Sequence, residues 1–220
     1  MQQKLDVIRK WSLGFIVSYN MIFFGLCVWI AWPFWWMKVN FEHSPITWLS
    51  SVQLILCAIF LSGIALIELL RNHVNHIFLR WSILAAGFLF LSLDEFFQIH
   101  ERLREGIFIP HEIGTNIPLV GPGDFLLLLY ALVGIFLARW MFKQFALDFL
   151  AKRRLLIGVC IAGIAVLLDA LSYDAHENLS LFRQLQFLEE VLEMMAQSFM
   201  LAAFISYFFL SIQQNFQLRK

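Results

Sequence analysis

The sequence predicts an all-α integral membrane protein of six transmembrane helices, and three observations predict it. Of its 220 residues, 60% are hydrophobic and 24 are phenylalanine. Mean hydropathy is +0.74. Six stretches of about twenty largely apolar residues, each long enough to cross a bilayer, follow one another along the chain. A water-soluble domain of this size could not hide so much apolar surface, because a large share of its residues must face solvent. Formal net charge is zero, so no polyanionic partner is implied and nucleic acid is not expected.

The expected spans are 13–36, 48–70, 78–99, 123–146, 154–173 and 188–212, within a single helical-bundle domain covering 1–220. The first follows the short basic segment MQQKLDVIRKW. It is longer than a secretory signal core and lacks a small-x-small cleavage site, so it is expected to remain as a span. Between the third and fourth spans, residues 100–122 contain Pro110, Gly114, Pro118, Gly121 and Pro122, an outer-loop signature. Residues 174–188 read as an outer interfacial segment, with Phe182, Leu185 and Leu188 on one helical face. Asp124 is expected to cap the fourth span. Spans two–three and four–five have matching spacing, which raises the expectation of a tandem hairpin repeat.

Charge gives the orientation. Twelve of the 16 lysines and arginines fall on one side, and only Lys38, Arg102, Arg104 and Arg183 fall on the other. By the positive-inside rule both termini are expected in the cytoplasm, with a bacterial inner membrane as the expected location. Acidic residues go the other way: Asp6, Glu68 and Asp148 are cytoplasmic, while the remaining thirteen lie at or near the outer face. Topogenesis barely constrains Asp and Glu, so their concentration outside has another cause.

Three segments supply the candidate chemistry. The third span ends LSLDEFFQIHE, the fifth ends LLDALSYDAHE, and the sixth begins FLEEVLEMMAQS. On continuous helices Asp94, Gln98 and Glu101 would share one face, as would Asp169, Tyr173 and His176. Glu190 and Glu193 lie one turn apart on the sixth span, and so do Glu193 and Gln197. Three polar stripes are therefore expected to converge on one pocket at the extracytoplasmic ends. An acid at the centre of a span costs about 2.5–3.5 kcal/mol on insertion scales, so these groups need partners. Nearby cations are too few. A divalent metal would balance the charge, and so would protonation of some of the acids.

Expected metal ligands are Asp94, Glu101, Asp169, His176 and Glu193, with Glu95, His100 and Glu190 as general acid or base. Residues seven apart are separated by about 10.5 Å along a helix axis, so one stripe needs two ions, or one of its ends only supports the other. Zinc would suit hydrolysis of a lipid-like ester or amide. A carboxylate-bound pair of irons would suit oxidation of a hydrophobic substrate. Three His-Glu dipeptides, at His100, His111 and His176, all lie outside, whereas chance predicts about 0.3 such pairs in the chain.

The leading expectation is thus a metal-dependent membrane enzyme in contact with membrane lipid. The alternatives are a proton or cation transporter, or a non-catalytic subunit or assembly factor of a membrane complex, with a membrane-protein partner or a second copy of the chain. Against transport, the cytoplasmic halves of the spans are almost wholly apolar, with Asn20, Ser62 and Ser82 as scattered exceptions. The chain has no HExxH, P-loop, GxSxG or CxxC motif, and no nucleotide is expected. No two histidines stand at i, i+4 or i, i+7, so no haem is expected either. Cys27, Cys57 and Cys160, all within apolar runs, are expected to be packing residues.

Overall fold

The computed structural model describes residues 2–39, 44–72, 75–111, 113, 125–174 and 179–218, although the side chains of Asp169 and of residues 170–174 fall outside that description. Its elements are all helical: α1 (Gln2–Ala31), α2 (Pro45–Asn72), α3 (His76–Phe97), the single turn α4 (Ile99–Leu103), α5 (Phe125–Gln144), α6 (Phe149–Asp174) and α7 (Leu179–Leu218). Among the described residues, four stretches are long and apolar enough to cross a membrane: Gln3–Ala31, Pro45–Arg71, His76–Phe97 and Leu179–Asn215. Helices α5 and α6, of 20 and 26 residues, stand where the fourth and fifth spans are expected. The position of Asp124 lies outside the described residues.

Local chemistry sets the helix ends. Pro45 opens α2 at a position where its missing N–H costs nothing, and the Ser44 hydroxyl accepts the Thr47 N–H at 3.1 Å. Asn75 caps α3 by accepting the N–H groups of Ile77 and Phe78 at 2.9 and 2.8 Å. Asp148 does the same for α6 through the Ala151 N–H. The chain does not break between residues 179 and 218, so the 179–188 part of the expected surface segment and the sixth span form one 40-residue helix.

Helix α7 is the axis of the bundle. It packs along α6, α2 and α1, while α3 packs mainly on α2. Long-range contacts place the first turns of α1, α3 and α6 beside the last turns of α2, α5 and α7. Arg9 meets Asp148 at 2.9 Å, Arg71 donates to the Ser211 carbonyl at 2.6 Å, and Trp81 packs against the rings of Trp140, Phe145 and Tyr207. The six long helices therefore alternate in direction. The start of α1 and the end of α7 lie at the same end of the bundle, where Gln213 donates to Asp6.

This basic end is tightly knit. Buried Arg154 donates to the carbonyls of Arg9, Lys10 and Ala202 and to the Ser12 hydroxyl. Beneath it, Leu61, Ile64, Trp81, Phe145, Leu155 and Phe204 form a closed apolar plug. The perimeter is apolar too, with Phe15, Ile22, Ile59, Leu66, Ile83 and Ile135 all exposed. A continuous apolar exterior of this kind is stable in hydrocarbon and not in water. The chain is built for a membrane.

Candidate functional site

The opposite end of the bundle is acidic, and its centre is the end of α3. Gln98 adopts a left-handed backbone conformation (φ 54°, ψ 46°), which stops α3 and turns the chain into α4. The expected continuous stripe of Asp94, Gln98 and Glu101 is therefore broken. Instead the turn folds His100 back over Asp94. The Asp94 carboxylate accepts the His100 backbone N–H at 2.8 Å and lies 2.9 Å from the ring Nδ1. Asp94 is 4% exposed and well placed to hold the ring, while His100 Nε2 lies 4.0 Å from a Glu101 oxygen.

The surroundings of His100 make its ring a stronger base than an ordinary imidazole. Burial works against the imidazolium, but the Asp94 hydrogen bond and the charges of Asp94 and Glu101 outweigh it. With Arg104 opposing, the balance still raises the ring above the ordinary histidine value.

Other expected residues gather around this pair. Half-buried Glu95 is hydrogen-bonded to Ser50 of α2 and stands within electrostatic range of His100 and Asp94. On α7, half-buried Glu190 is within electrostatic range of Glu193, Glu95 and Glu101. Asp94, Glu95, His100, Glu101, Glu190 and Glu193 thus gather at one end of the bundle from three helices, within electrostatic range rather than in mutual contact. The fifth-span residues are different. Asp169 lies in the last turns of α6 with its side chain undescribed, and His176 lies outside the described residues. Among the described residues no three His, Cys, Asp or Glu side chains are spaced to hold one ion.

The stripe pattern does not single out the partners that several polar residues find. Ser50, Ser51 and Gln53 of α2 are buried at membrane depth, where Ser51 exchanges hydrogen bonds with Ser92 of α3. Gln197 donates to the Ser50 hydroxyl at 2.6 Å, and Asn20 donates to Ser198 at 2.6 Å. Tyr130 of α5 lies within electrostatic range of Asp94 and packs edge-on against Phe90. The available signal was the run SSVQ inside an apolar span, since polar residues at that depth rarely go unpartnered.

Beside this cluster, Val28, Trp32, Trp35, Gln184, Phe187 and Leu188 line an open, mostly apolar groove of about 430 Å³ between α1 and α7. Arg183 stacks on Trp36 at 4.3 Å nearby.

Comparison with curated proteins finds no match. Comparison with solved structures finds none either. A family model described as a domain of unknown function, DUF8692, matches residues 21–207, most of the chain and all of the acidic cluster, and the chain belongs to that family.

Proposed function

We propose that the chain is an integral membrane enzyme acting on a lipid-like substrate. It crosses a bacterial cytoplasmic membrane six times, with both termini inside and its acidic end outside. One observation carries the reading: Asp94, Glu95, His100, Glu101, Glu190 and Glu193 converge from α3, α4 and α7 at one end of an otherwise apolar bundle. The gathering of basic residues at the other end supports the orientation.

The reaction that suits this arrangement is hydrolysis of an ester or amide. Asp94 holds His100 by Nδ1, which leaves Nε2 to take a proton from water or a substrate hydroxyl. Glu95 and Glu190 are the acids that return a proton to the leaving group. The apolar surface around the site receives the acyl chain.

A divalent cation is a second reading, favoured by three carboxylates within electrostatic range of Glu190. Glu101 and Glu193, with Asp94, Asp169 and His176, are a carboxylate and imidazole donor set that suits zinc or iron. Such an ion, if held there, would supply a polarised, acidic water.

The test is turnover of fluorogenic lipid esters and amides by detergent-purified protein. His100→Ala is expected to lower turnover about 100-fold or more at unchanged helicity. Equal activity in wild type and variant overturns the acid–base reading. Zinc or iron bound stoichiometrically, and lost in Glu193→Ala, supports the cation. Mild purification that yields metal-free protein with chelator-insensitive turnover removes it. Proton flux in proteoliposomes that disappears in Glu193→Gln replaces the enzyme by a transporter.

A further inference from the structure

Two buried amide groups in the seam between α2 and α7 have one end each that no described protein group meets. Gln53 is 3% exposed and its Nε2 has no hydrogen-bond partner, and Gln197 is 9% exposed and its Oε1 has none. A buried polar atom left in this state is costly, and the cost is steeper in a bundle surrounded by hydrocarbon.

The two side chains share one stretch of the seam. Gln197 is bonded to Ser50 of α2, and the next residue of α7, Ser198, is bonded to Gln53, three residues further along α2. Three residues are about 4.5 Å along a helix axis. One unmet atom is a donor and the other an acceptor. Turning either amide over exchanges its ends but leaves one of them unmet, so the shortage does not depend on how the amides are assigned. A water molecule supplies both an acceptor and a donor, and sites with several polar partners are where buried waters reside.

We propose that Gln53 and Gln197 bind an internal water that closes a one-way hydrogen-bonded chain from Asn20 to Glu95. Asn20 Nδ2 donates to Ser198 at 2.6 Å. The Ser198 hydroxyl donates to Gln53 Oε1 at 3.2 Å while shared with the Met194 carbonyl at 2.7 Å. Gln53 Nε2 then donates to the water, and the water to Gln197 Oε1. Gln197 Nε2 donates to Ser50 at 2.6 Å, and Ser50 donates to the Glu95 carboxylate. Every donor points toward the acidic end. Bonds aligned in series polarise one another, so a chain of this sense favours one fixed orientation of the Glu95 carboxylate. It stops at Asn20, near the middle of α1, and the apolar plug below separates it from the basic end. It is a blind branch, not a through-path.

The inference rests on the α2–α7 seam and stands independently of any turnover at the acid cluster. An experimental map of the wild-type protein that resolves ordered water is the first test. Density within hydrogen-bonding distance of both amides is expected. Amides bonded directly to each other, or ends packed on apolar groups without water, overturn the proposal. A thermal double-mutant cycle in one detergent is the second. Gln53→Leu and Gln197→Leu should each lower Tm, and the double variant should lose less than the sum by about 2 °C or more, because removing either amide releases the water. Strictly additive losses overturn it as well.

Discussion

Asp94 grips His100 twice, by the backbone N–H through one carboxylate oxygen at 2.8 Å and by ring Nδ1 through the other at 2.9 Å. One grip builds the turn and the other sets the tautomer, so a single side chain carries structure and chemistry together. Removing it in Asp94→Ala should cost about 2–3 kcal/mol of stability, the usual worth of charged hydrogen bonds to a buried group. Asp94→Asn should separate the two roles. Its carbonyl can still accept the backbone N–H, but its NH₂ then faces Nδ1 and forces the ring proton onto Nε2. Thermal unfolding is expected to recover by about half relative to alanine, while turnover stays at the alanine level. Nitrogen NMR of the imidazole reads the tautomer directly.

The same contact predicts a pH dependence. The folded value of His100 is raised above that of the unfolded chain. Its contribution to stability is therefore fully present below the ordinary histidine value and is lost as pH rises through the folded value. The Tm in detergent should fall on going from about pH 6 to pH 9, with the slope flattened in His100→Gln. An equal slope in wild type and variant would assign the dependence to other groups.

The alternating helices and the acidic end were legible from hydropathy and charge, because both follow from where groups can be solvated. The turn at Gln98 was not. A helical wheel assumes continuity, and only the left-handed residue reveals that Asp94 pairs with His100 and not with the Gln98–Glu101 face. Arg154 was equally opaque. It reads as one of three basic residues in a cytoplasmic KRR run, yet it is 4% exposed and satisfies four acceptors on α1 and α7. Spacing along the chain carries no record of which distant carbonyls a side chain will meet. Asn20 looked isolated for the same reason, since its partner Ser198 is 178 residues away.

The basic end should behave as a clamp separable from the site. Buried Asp148 pairs with half-buried Arg9 at 2.9 Å, and it also receives the Ser206 hydroxyl and the Ala151 N–H. Asp148→Ala removes the ion pair, the Ser206 bond and the α6 cap together while Arg9 keeps Asp6, so it should cost about 2–4 kcal/mol. Arg9→Ala/Asp148→Ala together should cost clearly less than the sum of the single losses. Turnover per folded molecule should be unchanged, because the apolar plug lies between the clamp and the acid cluster. A loss of turnover at full folding would show the two ends to be coupled.

Glycines test how closely α7 is embraced. A Cβ at Gly158 of α6 would stand 3.1 Å from the Ala196 carbonyl of α7 and 3.2 Å from Phe199 Cβ, and neither is the free end of a flexible side chain. A Cβ at Gly63 of α2 would meet the Phe208 ring at 2.7 Å. Gly163, five residues along α6 from Gly158, would meet nothing within 4 Å. Overpacking typically costs about 1–3 kcal/mol, so Gly158→Ala and Gly63→Ala should lower stability by that order. Gly158→Ala should cost at least as much as Gly63→Ala, since a backbone carbonyl on the central helix cannot swing aside as a phenyl ring can. Gly163→Ala should instead be neutral or stabilising by up to about 1 kcal/mol, because alanine is the better helix former in open surroundings. Thermal unfolding of the three variants in one detergent checks the ranking. A Gly158→Ala protein as stable as wild type would mean that α6 and α7 do not approach so closely in the membrane.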